Sequence, residues 1–89
     1  MSNNVRRDYA YTVVVFQTDP FNATIPDLTI FVAADTRDEI LSRSKTLAQK
    51  EVEALVRQGK SVPIPSSIDR LRQKWSGENT EFMTVTVSL

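Results

Sequence analysis

Four aspartates, Asp19, Asp27, Asp35 and Asp38, are the residues whose type could do chemistry, because carboxylates gathered at strand ends grip the paired divalent metals of phosphoryl transfer. Such a site also needs a carboxylate on a central strand. The first strand-like stretch, Tyr9 to Gln17 (YAYTVVVFQ), has none, and each of the four aspartates is explained by a turn or a helix start. For Asp27, between Pro26 and Leu28, a turn residue bonding to its own backbone is favoured over a partner contact. No catalytic or metal site is therefore expected. The chain has no histidine and no cysteine, which removes imidazole acid–base catalysis, thiol nucleophiles, disulfides and the common zinc ligands. A general base would have to be a perturbed Lys, Glu or Asp, and no spacing nominates one. No cofactor is expected either.

A second chemical constellation is Trp75 with Arg70, Arg72 and Lys74, the composition of a nucleic-acid contact. Eleven basic residues balance eleven acidic ones, so no net field attracts a polyanion or an anionic membrane. A helix edge packing its tryptophan on the core is the favoured reading, and direct nucleic-acid binding is not expected. The N-terminus has no apolar segment of signal-peptide type, and no run of about 18 apolar residues occurs. A soluble, cytoplasmic protein without membrane contact is the expectation. Eighty-nine residues make one domain, with residues 1–7 as a flexible N-terminus. A chain this short buries only about 60–65% of its unfolded surface, so added burial by self-association would help.

The element that must organise these residues is Thr36 to Gly59. Thr36 followed by Glu39 matches a capping box, in which each side chain satisfies a free backbone N–H at the helix start. Ile40, Ser44, Leu47, Ala48, Leu55 and Val56 then recur near the 3.6-residue period as the buried stripe. Gly59, with Pro63 and Pro65 beyond it, is the stop.

In chain order, Tyr9 to Gln17 reads as a strand. Apolar residues on both its faces from Val13 to Phe16 place it inside a sheet with cover on each side. A turn at Asp19 and Pro20 leads into a short return strand, Phe21 to Ile25, closed by Pro26. Thr29 to Ala34 is a third strand. After the helix, the VPIP linker is extended, and Ser66 is the N-cap of a short helix through Leu71 to about Trp75, broken by Ser76, Gly77, Glu78 and Asn79. Glu81 to Leu89 alternates as the last strand, with Met83, Val85, Val87 and Leu89 on its dry face.

The fold class is α+β, with elements β-β-β-α-(short α)-β and a four-stranded mixed sheet of order 3-2-1-4. In this reading the long helix covers one face and makes the last strand parallel to the first through a right-handed crossover. The opposite face, expected to carry several of Phe16, Phe31, Phe82 and the tyrosines, then has no cover within the chain. A homo-oligomer, dimer or tetramer, is expected to cover it, with Phe16, Thr29, Phe31, Phe82 and Thr84 as candidate interface residues.

The order of these motifs resembles a known family. A Tyr-initiated strand and hairpin are followed by Ile25-Pro26-Asp27-Leu28, by Thr36-Arg37-Asp38-Glu39-Ile40 opening a long helix, and by Gly59-Lys60-Ser61-Val62-Pro63-Ile64-Pro65-Ser66. This pattern is similar to that of HicB-like antitoxins over about Tyr9 to Leu89. The family motif residues carried over are Pro26, Asp27, Leu28, Thr36, Glu39, Gly59, Pro63 and Pro65. The resemblance implies a partial ribonuclease H-like fold and an antitoxin that masks the active site of HicA, a small ribonuclease toxin with a double-stranded-RNA-binding fold. Many members carry a C-terminal DNA-binding domain, which is not expected in this chain. Two functions follow: an antitoxin-like, non-enzymatic interaction protein, or a homo-oligomeric regulatory module of the same family without a toxin.

Overall fold

Strands Asp8–Phe16 (β1), Phe21–Ile25 (β2), Ile30–Ala34 (β3) and Thr80–Ser88 (β4) form a four-stranded sheet ordered β3-β2-β1-β4 in a computed structural model that describes residues 7–75, 77 and 79–89. A single 3₁₀ turn, Pro26–Leu28, joins β2 to β3, and the helices are Arg37–Arg57 (α1) and Ile68–Lys74 (α2). The expected order is observed. Most of the expected flexible N-terminus, and Ser76 and Glu78 among the expected breakers of the short helix, lie outside the described residues.

The sheet is antiparallel throughout, not mixed. β4 runs against β1, with Asp8 opposite Ser88 and Phe16 opposite Thr80, because the connection makes two traverses of the sheet. α1 carries the chain down one face. The linker after it starts on that same face, with Val62 against the core, and α2 then brings the chain back along the other, so β4 starts at the end where α1 started. The Arg37 guanidinium at the start of α1 pairs with Glu81 at the start of β4, with Arg37 Nε donating to Glu81 Oε2 at 2.9 Å. Farther along both elements, the Gln49 amide meets Ser88.

The residues of β1 divide cleanly. Tyr11, Val13 and Val15 face α1, together with Ala23, Ile25, Val32, Ala34, Val85 and Val87. Tyr9 and Tyr11 therefore belong to the covered face, although the tyrosines are among the residues from which the open face is expected to draw. The α1 stripe is Ile40, Ser44, Ala48 and Val52, a strict i+4 row. Leu47 and Val56, expected in the stripe, are 40% and 50% exposed, whereas Val52, not expected there, is fully buried.

Both ends of α1 have local causes. Thr36 Oγ1 accepts the Glu39 N–H at 3.2 Å, but the Glu39 carboxylate turns to the Thr36 hydroxyl and to Arg43, so the capping box is half formed. At the far end Gly59 has φ +68°, the Gly59 N–H donates to Val56 and the Lys60 N–H to Leu55. That pair of bonds is a Schellman closure, and it needs a residue that tolerates the left-handed region.

Among the described residues two buried side-chain groups lack a hydrogen-bond partner, Trp75 Nε1 and the Ser44 hydroxyl. Ser44 is fully buried against the sheet and its hydroxyl has no hydrogen-bond partner. Ser44→Ala removes the orphaned hydroxyl and improves helix propensity, so it is expected to stabilise the fold by about 1 kcal/mol, read as a higher urea midpoint with an unchanged slope.

Candidate partner-binding surface

The even-numbered residues of β1 and their cross-strand neighbours form the face turned away from α1. Register places Phe31, Thr24, Val14 and Phe82 in one row across the sheet. This face was expected to be bare, yet Val14 is fully buried and Thr12 and Thr24 nearly so. The cover is α2. Trp75, at its C-cap, packs against Phe16 with ring centroids 6.0 Å apart, and Arg72 lies over the Phe82 ring at 5.7 Å. Leu71 is buried on the same helix. The doubly apolar run Val13–Phe16 thus has cover on both sides.

The linker reaches this face under two restraints. Tyr11 Oη donates to the Pro63 carbonyl at 2.6 Å. Asp27 accepts the Ser66 backbone N–H at 2.8 Å through one carboxylate oxygen and the Ser66 hydroxyl at 2.7 Å through the other. The aspartate is therefore neither a turn bonding to itself nor an exposed contact. It clamps a segment 39 residues away. Ser66 is committed to this clamp, and Ser67 takes the N-cap of α2 in its place, accepting the Arg70 N–H at 3.3 Å.

The Tyr11 phenol is pushed from its ordinary 10.0 up to about 12, first by burial and then by Tyr9 and Asp27. The unfolded chain ionises this phenol first, so the contribution is complete below pH 10 and is lost as pH rises toward 12. Tyr11→Phe is expected to flatten the fall in folding stability across that window, measured by denaturant titration at increasing pH.

The Arg70, Arg72 and Lys74 cluster is divided by the fold. Arg70 and Lys74 line a cleft of about 300 Å³ beside Pro26, Asp27, Ser66 and Leu71, while Arg72 points to Phe82. The aspartates are dispersed as well. Among the described residues no three acidic side chains gather in a group that could hold a metal ion.

Of the five candidate interface residues, Phe16 and Phe82 are half-buried and engaged by α2. Thr29, Phe31 and Thr84 are exposed. Phe31 is 75% exposed on the edge strand β3, an unusual position for a large aromatic side chain. Thr29, just before it, is held at φ 54° with its N–H donating to Pro26, a strained setting for a β-branched residue that fixes the entry to β3. Arg43 from α1 reaches the Ala33 carbonyl at 2.7 Å and caps the strand beyond it. Sequence reasoning missed Ile64, which is 85% exposed in the linker; the VPIP pattern read as a spacer and held no cue that this side chain faces outward.

No described helix is long and apolar enough to cross a membrane. Residues 9–89 match the family model of the HicB-like antitoxin of bacterial toxin–antitoxin systems. The fold is similar to that of a solved chain from a HicA3 and HicB3 toxin–antitoxin complex, with TM-score 0.67 and 23% sequence identity, covering 85% of this chain and 94% of that one. At that identity the likeness concerns the fold. No curated protein matches this chain.

Proposed function

Because the chain belongs to the HicB-like antitoxin family, matched from residue 9 to residue 89, we propose that it is a non-catalytic, cytoplasmic antitoxin that binds a small HicA-type ribonuclease toxin and masks its active site. Its resting state in this reading is a homo-oligomer. The observation that carries the docking assignment is Phe31, which stands 75% exposed on a strand edge held by Thr29 and Arg43. A rigidly placed aromatic with an exposed ring is the kind of anchor that dominates protein interfaces. Phe31, Thr29 and Ala33 form the proposed centre of the docking surface, with α2 filling the adjoining part of the sheet.

The decisive experiment is co-expression with a small basic HicA-type protein encoded beside this chain. Rescue of growth together with co-purification supports the antitoxin reading. Failure of both overturns it and leaves a regulatory module of the same family without a toxin.

A further inference from the structure

The two edges of the sheet are finished differently. β3 is five residues long, and Arg43 occupies its Ala33 carbonyl. β4 is nine residues long, pairs with β1 without a bulge, and contains no proline or lysine. Natural sheets guard long edges with such devices, and this edge has none of them along its middle.

The hydrogen-bond phase of β4 identifies its free groups. The Leu89 N–H donates to Arg7 at 2.9 Å, and the Gln17 N–H donates to Asn79 at 2.8 Å. Odd-numbered residues of β4 therefore point their backbone groups at β1, and even-numbered ones point outward. Ser88, at one end, is satisfied: its N–H donates to Gln49 Oε1 at 3.2 Å and its carbonyl accepts from Gln49 Nε2 at 2.7 Å. The Gln49 amide imitates a neighbouring strand there and nowhere else. Among the described residues, Thr80, Phe82, Thr84 and Thr86 are left with outward N–H and C=O groups, and Thr84 is the midpoint of β4.

We propose that this edge pairs with the same edge of a second copy, antiparallel, about a two-fold axis through Thr84. This register gives every free group of Phe82, Thr84 and Thr86 a backbone partner, since Phe82 of each copy faces Thr86 of the other and the two Thr84 residues face one another. An aromatic beside a β-branched residue and a threonine beside a threonine are favourable cross-strand pairs. Charge agrees with self-pairing. Glu81 is the only ionisable residue of β4; it is bound to Arg37, and the register sets it opposite Val87 instead of its symmetry mate. The half-buried Met83 meets Val85 on the other face. The axis is perpendicular to the sheet, so both α1 helices lie on one side of a continuous eight-stranded sheet, and both Phe31 edges remain at its outer ends. An isologous contact of this kind closes at the dimer.

The proposal concerns only the oligomeric part of the functional reading, and its test separates the two. The full chain is measured by sedimentation and light scattering at micromolar concentrations, alone and with the HicA-type protein. Wild type is expected to be a dimer. Thr84→Lys and Thr84→Glu each set like charges against themselves across the axis, and each is expected to weaken the dimer roughly tenfold or more with an unchanged far-ultraviolet dichroism spectrum. Mixing the two variants is expected to restore a dimer, because opposite charges then meet. A wild-type monomer, or a dimer indifferent to either variant, overturns the proposal; so does a mixture that fails to re-form the dimer. Loss of toxin capture in these variants with the wild-type chain monomeric would make this edge the toxin's site and also overturn it. Retained capture with a lost dimer supports it.

Discussion

Phe31→Glu is expected to lower affinity for the HicA-type toxin by about thirtyfold or more and to leave the melting temperature within a degree or two of wild type, because truncating an interface anchor costs about 2 kcal/mol or more, and 1.4 kcal/mol is tenfold. The asymmetry between the two readouts comes from exposure. A residue 75% exposed contributes little to the core, so replacing it takes almost nothing from folding. A carboxylate at the centre of an apolar contact, by contrast, must be desolvated without a partner. Phe31→Leu keeps the apolar body and is expected to lose only part of the affinity. Calorimetric titration of the purified pair, with thermal melts of each variant, checks both halves. Equal affinity for Phe31→Glu and wild type would remove the β3 surface from the docking site.

Asp27→Ala is expected to destabilise the fold by about 2–3 kcal/mol, since it removes two charge-assisted hydrogen bonds and leaves the Ser66 N–H without an acceptor in a half-buried seam. For a domain of this size that is a large share of a total of about 5–15 kcal/mol, and it corresponds to a fall in melting temperature of roughly 10 °C or more. The loss should be felt first by α2, which follows the clamped residue directly. Trp75 is the only tryptophan and rests against Phe16, so its fluorescence reports α2 specifically. The expected result is a fluorescence transition at lower urea than the far-ultraviolet dichroism transition in Asp27→Ala, where wild type shows one coincident transition. Asp27→Asn retains one acceptor and is expected to fall between the two. Coincident, unshifted transitions in Asp27→Ala would show that the linker is held by other contacts.

What could be read from the residues, and what could not, follows from the range of the forces involved. The strand order, the start of α1 at Thr36 and its stop at Gly59 rest on local chemistry: hydroxyl capping, a left-handed glycine, and doubly apolar Val13–Phe16 marking an inner strand. The direction of β4 does not. It depends on whether the connection crosses the sheet once or twice, and the second crossing is made by an extended linker and a helix of seven residues that carry little periodicity. The same segment explains the error over the uncovered face, because Leu71 and Trp75 show no sign of which surface they will reach. Asp27 was readable as a turn residue from its proline neighbour, whereas its bond to Ser66 spans 39 positions and leaves no local trace. Val52 was missed because the i+4 row that approaches the sheet is selected by the angle at which α1 crosses it, and Leu47 and Val56 look equally apolar in the sequence. Of the candidate interface residues, exposure kept Thr29, Phe31 and Thr84 available and α2 engaged Phe16 and Phe82. That division required knowing where α2 lies.

The antiparallel course of β4 has a geometric corollary for anything joined to this fold. Arg7 and Leu89 are hydrogen-bonded neighbours, so the entry to the first strand and the exit from the last share one corner of the sheet. A short bridge between them would tolerate a circular permutation opened in the linker after Gly59, and any module fused before β1 or after β4 would depart from the same place. With the two copies joined at Thr84, those corners fall on opposite sides of the axis. Appended modules would therefore be held at a set separation across the sheet, which raises their effective concentration for a target whose two sites match that separation.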